Sequence, residues 1–259
     1  MKISARILSV AVAALFSAFL SIASGSKPTF PDETLSYKVM FKWGLVNKQA
    51  GTVDITLRSE GDRYYSILTA RTDPWADHFY RVRDTLTSEM LRPSLTPVIY
   101  NKISHEDNED KHDVVRFSPT TKGTTKGYCT RKVVKNKKLI RDEKLELEAM
   151  GTTVDMLSSF YFMRTLDFSK MKKGQVITIN IFSGKRKELL TIKYMGTDKV
   201  DYDNRSYKAY HVSFIFTSDG KKKTSDDMDA WITADSKRIP VKLEGKLPVG
   251  RVRCFYTGK

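Results

Sequence analysis

The sequence has few of the residues that mark a catalytic or metal centre. Its 259 residues include only two cysteines and four histidines. It contains no Gly-x-Ser-x-Gly nucleophile motif and no glycine-rich phosphate loop. These absences remove the sequence signatures of serine hydrolases and of nucleotide-binding enzymes, although catalytic groups also assemble from distant parts of a chain. We predict no catalytic residue and no cofactor.

Long apolar runs are also scarce. The one such run, residues 7–23, follows Lys2 and Arg6 and ends in small residues, which is the pattern of a cleaved export signal. A membrane anchor is the alternative. No later run approaches the roughly 20 residues of a spanning helix. We predict a signal peptide over residues 1–24, a single domain over residues 25–259, and an exported protein that is periplasmic or envelope-associated.

Acidic residues are outnumbered, with 30 Asp and Glu against 45 Lys and Arg and a formal net charge of +15. An exported basic protein meets anionic lipid, lipopolysaccharide or acidic polysaccharide. No recognition helix or RNA-binding aromatic motif favours nucleic acid. The basic clusters lie beside turn residues and indicate hairpin tips, for which solubility is the alternative role. We predict that an anionic surface contacts Lys185, Arg186, Lys187, Lys221, Lys222, Lys223, Arg251 and Arg253.

Apolar and polar residues alternate through most of the chain after residue 30. The alternation is clear in residues 37–43, 177–181 and 212–216, and it is typical of half-buried antiparallel strands. Glycine-containing hairpin signals lie at residues 182–185 and 218–221. A sheet of a dozen or more twisted strands rarely stays open. We therefore predict a mainly all-β fold, an antiparallel meander curled into a barrel or pseudo-barrel.

One segment departs from the alternation. Residues 153–167 (TVDMLSSFYFMRTLD) are apolar on nearly all faces, which is typical of a buried helix. Thr152 and Asp155 have the spacing of a capping box at its start. We predict that this helix packs across a barrel mouth or against the concave side of the sheet.

Three segments resemble one known family. They are FYRVRDTLTSEMLRPSLTPV from Phe79, the helix followed by MKKGQVITINIFSGKRKELLTIKY, and WITADSKRIPVKLEGKLPVGRV from Trp231. They resemble, in the same order, the exported bacterial family catalogued as domain of unknown function 3108. The resemblance implies an antiparallel pseudo-barrel, similar to that of exported proteins associated with capsule or envelope polysaccharide, and no established reaction.

The polar and amphipathic residues of these segments are candidate ligand contacts. A charged side chain inside the barrel must pair or accept hydrogen bonds, because an unpaired buried charge is costly. A buried ion pair or a helix cap is therefore the alternative to ligand contact, and core packing is the alternative for tryptophan. The candidates are Arg83, Asp84, Asp155, Arg164 and Trp231.

Neither the densest polar stretch nor the cysteine pair predicts a site. Residues 105–113 (HEDNEDKHD) lack the glycine and distal glutamate of a calcium loop, and their histidines lack zinc-protease spacing. We expect a solvated turn there and predict no metal site. For Cys129 and Cys254 the sequence allows two alternatives, which are a disulfide between them and two buried free thiols.

These features favour a non-catalytic exported protein that binds or handles an envelope lipid or polysaccharide. An envelope hydrolase with paired carboxylates and a structural partner of another envelope protein are the alternatives. The interior distinguishes them: a cavity lined by acidic groups favours the hydrolase, an apolar cavity favours lipid carriage, and a solid core favours surface interaction. The last hairpin, residues 239–256, is predicted to be barrel wall, with Pro240 at a strand start, an edge or a bulge.

Overall fold

The structure is a computed structural model, and it describes residues 29–120, 123–218, 222–223, 227–247 and 249–258. The predicted signal peptide, residues 1–24, lies outside the described residues. Within the described part, no helix has the length and apolar character needed to cross a membrane.

Strands make up most of the fold. The first half contains β1 Glu33–Trp43, β2 Val46–Glu60, β3 Arg63–Thr72, β4 Val82–Leu91, β5 Pro97–Glu106, β6 Glu109–Pro119, β7 Thr124–Lys135 and β8 Lys138–Met150. The second half contains β9 Thr153–Val154, β10 Val176–Phe182, β11 Lys187–Tyr202, β12 Arg205–Ser218, β13 Lys222–Lys223, β14 Met228–Thr233, β15 Pro240–Lys246 and β16 Arg251–Tyr256. The α-helices among the described residues are the single turn α1 Pro74–Asp77 and α2 Met156–Arg164, and a 3-10 turn covers Phe168–Lys170.

Neighbours in sequence are mostly neighbours in the sheet. The strand order runs from β8 back to β1, then through β16, β15, β14, β12, β11 and β10 to β9, with β13 paired to β12. The antiparallel β1–β16 pairing joins the two halves of the chain. The predicted antiparallel meander is confirmed.

The two ends of this sheet meet along a seam between β8 and β10. Asn180 Nδ2 donates to the carbonyl oxygen of Met150 at 2.8 Å, and Lys187 Nζ donates to that of Glu148 at 3.2 Å. Inside the barrel next to this seam, the ring of Phe182 in β10 stacks on that of Phe117 in β6, with centroids 5.6 Å apart. The sheet is thus a nearly closed barrel, as predicted.

The inward faces of the strands build one hydrophobic core. Tyr37 and Val39 of β1 are buried, and so are Val212, Phe214 and Phe216 of β12. Each set shares one face because successive side chains of a strand point to opposite sides. Burial of this apolar area is the main favourable contribution to folding. The alternation predicted these positions correctly, but it is wrong for Trp43, which lies on the same predicted face at the end of β1 and is 56% exposed.

The buried helix is shorter than predicted. It covers Met156–Arg164 rather than residues 153–167, because Thr153–Val154 pair with β10 as a short parallel strand. Its packing against β3, β4 and β10 places it inside the barrel, as expected for a helix without a polar face.

The capping box of α2 also differs from the prediction. Asp155 is the N-cap, and its Oδ1 accepts from the backbone amides of Leu157 at 2.7 Å and Ser158 at 2.8 Å. Ser158 Oγ in turn accepts from the backbone amide of Asp155 at 2.9 Å. Aspartate suits this position because its carboxylate satisfies amides that have no partner within the helix.

The barrel has two distinct ends. Because consecutive strands are antiparallel, one end carries α1 and the turns β1–β2, β5–β6, β7–β8, β10–β11 and β15–β16. We call it the hairpin end. We call the opposite end the helix end. There Arg164, the last residue of α2, donates hydrogen bonds to Glu33 at the start of β1 and to the carbonyl oxygen of Lys237.

Candidate functional site

Two of the five candidate residues anchor α2. Arg164 is 4% exposed; its Nη2 lies 3.2 Å from Glu33 Oε2 and donates to the carbonyl oxygen of Lys237 at 3.0 Å. Its guanidinium also lies 4.7 Å from the ring centroid of Phe30. Asp155, the N-cap, additionally accepts from Ser88 Oγ at 2.6 Å. These contacts account for both buried charges and hold the helix against β1 and β4.

Arg83 and Asp84 are adjacent in β4 and therefore point in opposite directions. Arg83 lies on the outer side, where its Nη2 contacts Asp77 Oδ2 at 2.6 Å and its Nη1 donates to Thr72 Oγ1 at 3.0 Å. It ties α1 to the sheet. Asp84 points inward, is 3% exposed, and accepts from Ser104 Oγ at 3.2 Å.

Asp84 belongs to a polar group inside the hairpin end, which we call the interior cluster. Arg131 Nη1 donates to Asp113 Oδ1 at 2.9 Å and Oδ2 at 2.6 Å. Lys111 Nζ donates to Glu106 Oε2 at 3.2 Å. Strand pairing aligns these residues across β4 to β7. The interior cluster consists of Asp84, Tyr100, Ser104, Glu106, Lys111, Asp113 and Arg131.

Trp231 lies on the outer wall and is almost covered. Its ring stacks on His211 with centroids 4.5 Å apart and planes 6° apart, and Lys242 Nζ lies 3.8 Å from its centroid. These two residues come from β12 and β15, the strands on either side of β14. Trp231 Nε1 donates to Asp198 Oδ2 at 2.9 Å. With 8% of its surface exposed, the ring is packed by protein on the wall.

The described members of the predicted anion-contact set lie towards the hairpin end. Lys185 is exposed at the β10–β11 turn. Residues 185–187 line a groove of about 320 Å³ along the seam, opposite Glu146 and Glu148 of β8. Lys221 lies outside the described residues, and Lys222 and Lys223 form β13, which pairs with the last residues of β12.

Arg251 and Arg253 face outward on β16, as predicted. Arg251 Nη1 contacts Glu244 Oε1 at 2.7 Å, and Arg253 Nε contacts Glu244 Oε2 at 3.1 Å. Both arginines remain partly exposed, and Arg251 lies at the first position after the β15–β16 turn. One carboxylate thus orders two cations at the edge of the hairpin end.

The family model described as Protein of unknown function (DUF3108) matches residues 36–255. The chain belongs to the DUF3108 family. A solved structure with a similar fold is the beta-barrel-like protein of domain of unknown function DUF1849 from Brucella abortus. It aligns with a TM-score of 0.58 at 10% identity, over 87% of this chain and 95% of that chain. At that identity the likeness shows the fold alone. A search of curated proteins returns no match.

Burial dominates the electrostatics of this DUF3108 barrel's interior. Burial raises the pKa of Asp84 to about 6, although Lys102 opposes the shift. It also raises the pKa of Asp113, against the opposing charge of Arg131. Burial and then the charge of Asp155 raise the pKa of the Tyr100 hydroxyl, which has no hydrogen-bond partner within the described structure.

The described residues of this DUF3108 barrel offer few groups for metal binding or nucleophilic catalysis. Among the described residues, no three His, Cys, Asp or Glu side chains are placed to hold a metal ion. Cys129 and Cys254 are buried free thiols, and burial raises their pKa to about 11 and about 12. A thiol with a raised pKa is a poor nucleophile at neutral pH because little thiolate forms.

Part of the interior cluster was missed by sequence reasoning. Residues 105–113 were expected to be a solvated turn, and His105 and Asp110 are exposed as expected. Glu106 and Asp113, however, are 5% and 4% exposed, so that expectation is wrong for them. The strand phase was the available signal, because Glu106 shares the inward face with Ser104 and Tyr100.

Proposed function

We propose that this protein is exported and binds an anionic component of the cell envelope through its hairpin end, without catalysis. The observation that carries the proposal is topological: the antiparallel meander brings turns rich in lysine and arginine to one end. Cations flank the turns β1–β2, β7–β8, β10–β11 and β15–β16. The β5–β6 turn is the acidic exception, with Asp107, Glu109 and Asp110.

The chemistry of such an end suits a multivalent anion. Lipid headgroups and acidic polysaccharides both present closely spaced negative charges. Each lysine or arginine held near an anionic surface contributes about 1 kcal/mol to binding, and added salt screens the attraction. The net charge is +15 for the full sequence, and it becomes 15 − 2 = +13 once Lys2 and Arg6 leave with the predicted signal peptide. This charge strengthens long-range attraction to the same targets.

Two places in the described interior favour contact at the surface over carriage of a ligand inside. The space enclosed by Phe214, Met228, Leu243 and Val252 holds about 10 Å³, which is near the minimum for one water molecule. The hydrolase alternative would use the interior carboxylates, and Asp84 and Asp113 are 3% and 4% exposed. Such burial favours a structural role for them over contact with a polymer.

Removal of cations from the hairpin end should weaken binding to anions. We expect the triple variant Lys138→Ala, Lys185→Ala, Arg186→Ala to lose at least about tenfold in affinity, from the contribution of each cation near the surface. The probes are vesicles of phosphatidylcholine with phosphatidylglycerol, and the soluble acidic polysaccharide polygalacturonate. Binding is measured at low salt by sedimentation and by light scattering.

The chain offers a control with the same loss of charge. Lys170, Lys172 and Lys173 are exposed near the start of β10, at the helix end. Their replacement by alanine should leave the affinity for both probes within about twofold of wild type, because only a general charge effect remains. Equal losses in the two triple variants would contradict the proposal that the hairpin end is the binding surface.

A further inference from the structure

Large apolar side chains are exposed at the same end as the cations. Leu45 at the tip of β1–β2 is 105% exposed, and its neighbour Trp43 is 56% exposed. Phe79, next to α1, is 72% exposed, and Leu139 and Ile140 at the start of β8 are 60% and 51% exposed. We call these five residues the apolar rim. Exposed apolar groups gathered at one place usually mark a contact surface.

The β1–β2 hairpin contacts α1 on one side and the β15–β16 turn on the other. Trp75 Nε1 donates to the carbonyl oxygen of Gln49 at 2.6 Å, which fixes α1 beside β2. The rings of Trp75 and Phe79 have centroids 6.1 Å apart. On the other side, a Cβ at Gly250 would lie 3.2 Å from Trp43 Cβ, so the β15–β16 turn packs against β1. Trp43 and Phe79 therefore lie on segments that flank the same hairpin, β1–β2, at the same end of the barrel.

Cations are interleaved with the apolar rim. Lys48 Nζ lies 4.8 Å from the ring centroid of Trp75. Lys42 precedes Trp43, and Lys138 precedes Leu139. Alternation of exposed aliphatic or aromatic residues with lysine is typical of surfaces that lie in the interface of a bilayer. There the apolar side chains enter the acyl boundary and the cations contact the headgroups.

We infer that the hairpin end docks onto an anionic lipid bilayer, with the apolar rim inserted at the interface. This inference rests on the proposed function and selects lipid from the two anionic components named there. A hydrated polysaccharide offers no apolar phase, so exposed Leu45 and Phe79 would gain nothing from it. A bilayer accommodates both features at once, because its apolar region lies directly beneath its charged surface.

The test removes apolar surface and keeps the charge. The variant Leu45→Ser, Phe79→Ser should bind phosphatidylcholine and phosphatidylglycerol vesicles at least about tenfold more weakly than wild type, since the buried apolar area drives insertion. Its affinity for polygalacturonate should not change. The matched control is Ile67→Ser, Tyr128→Ser, two residues on the outer barrel wall that are 46% and 44% exposed. We expect the control to bind vesicles as wild type does.

A second measurement reports insertion directly. The chain has three tryptophans, and Trp43 is the one in the apolar rim. Lipids brominated near the glycerol backbone should quench its fluorescence in bound wild type, and Trp43→Phe should remove most of that quenching. Strong quenching with loss of affinity in the Leu45, Phe79 variant supports docking on a bilayer.

The outcomes separate this inference from the function on which it rests. Unchanged vesicle affinity in the Leu45, Phe79 variant, together with loss in the cation variant, would overturn apolar insertion and leave anion binding in place. Wild-type binding to polygalacturonate but not to vesicles would overturn it in favour of polysaccharide. If both the apolar variant and the cation variant kept wild-type affinity, the inference and the proposed function would both be wrong. The apolar rim would then be a contact surface for a protein partner.

Discussion

Replacement of Val241 by aspartate should unfold the protein. Val241 lies on the inward face of β15 and is 2% exposed, and the next inward residue, Leu243, also belongs to the core. The substitution would bury a carboxylate with no partner supplied for it. We expect a loss of more than about 4 kcal/mol, which is comparable to the whole stability of many domains. Near-UV circular dichroism and thermal unfolding measure the effect.

The outer face of the same hairpin provides the control. Arg251→Ala with Arg253→Ala removes two partly exposed partners of Glu244, and Lys242 Nζ remains 3.0 Å from Glu244 Oε2. We expect thermal stability within about 1 kcal/mol of wild type. A folded Val241→Asp protein with a native melting transition would show that this hairpin is not the barrel wall.

Replacement of Asp84 by asparagine should stabilise the protein at high pH and not at low pH. Burial raises the pKa of Asp84 from 3.8 to about 6, so the folded state holds this proton more tightly than the unfolded state. The contribution of this bound proton to the free energy of unfolding is complete below pH 4 and is lost as pH rises through 6. Asparagine is neutral throughout and can still accept from Ser104 Oγ.

The expected size follows from the pKa difference. The shift from 3.8 to about 6 corresponds to roughly 3 kcal/mol, so Asp84→Asn should gain up to roughly 3 kcal/mol over wild type at pH 8. The gain should vanish at pH 4. Urea unfolding at the two pH values measures both differences.

Asp54 is the matched control for Asp84. It also accepts from a serine on the neighbouring strand, with Ser36 Oγ at 2.6 Å, but it lies on the outer side of β2. Asp54→Asn should change the stability by less than about 0.5 kcal/mol, as is usual for a substitution on the outer surface. If Asp84→Asn destabilised the protein equally at both pH values, the buried carboxylate would have a partner that the interior cluster does not show.

Sequence periodicity determined most of the strands, most of the core positions and the wall hairpin. In β12 the buried Val212, Phe214 and Phe216 are the residues that the alternation predicts. The reason is local: successive side chains of an extended backbone point to opposite faces, so the pattern of one strand suffices. The buried helix followed from the same kind of argument. The first residue of the helix could not be predicted in this way, because Thr153–Val154 pair with a strand that lies more than twenty residues later in the chain.

Pairing and closure of the sheet decided which residues form the interior cluster and which turns lie at the same end of the barrel. Asp113 and Arg131 are eighteen residues apart in the sequence. Only the β6–β7 register brings their side chains together inside the barrel. Likewise, each basic turn is visible in the sequence, but the antiparallel order of the whole sheet is what gathers those turns at one end beside Leu45 and Phe79. Local periodicity specifies which face of a strand is buried. Which residues from distant strands share that face, or share one end of the barrel, depends on the long-range pairing that closes it.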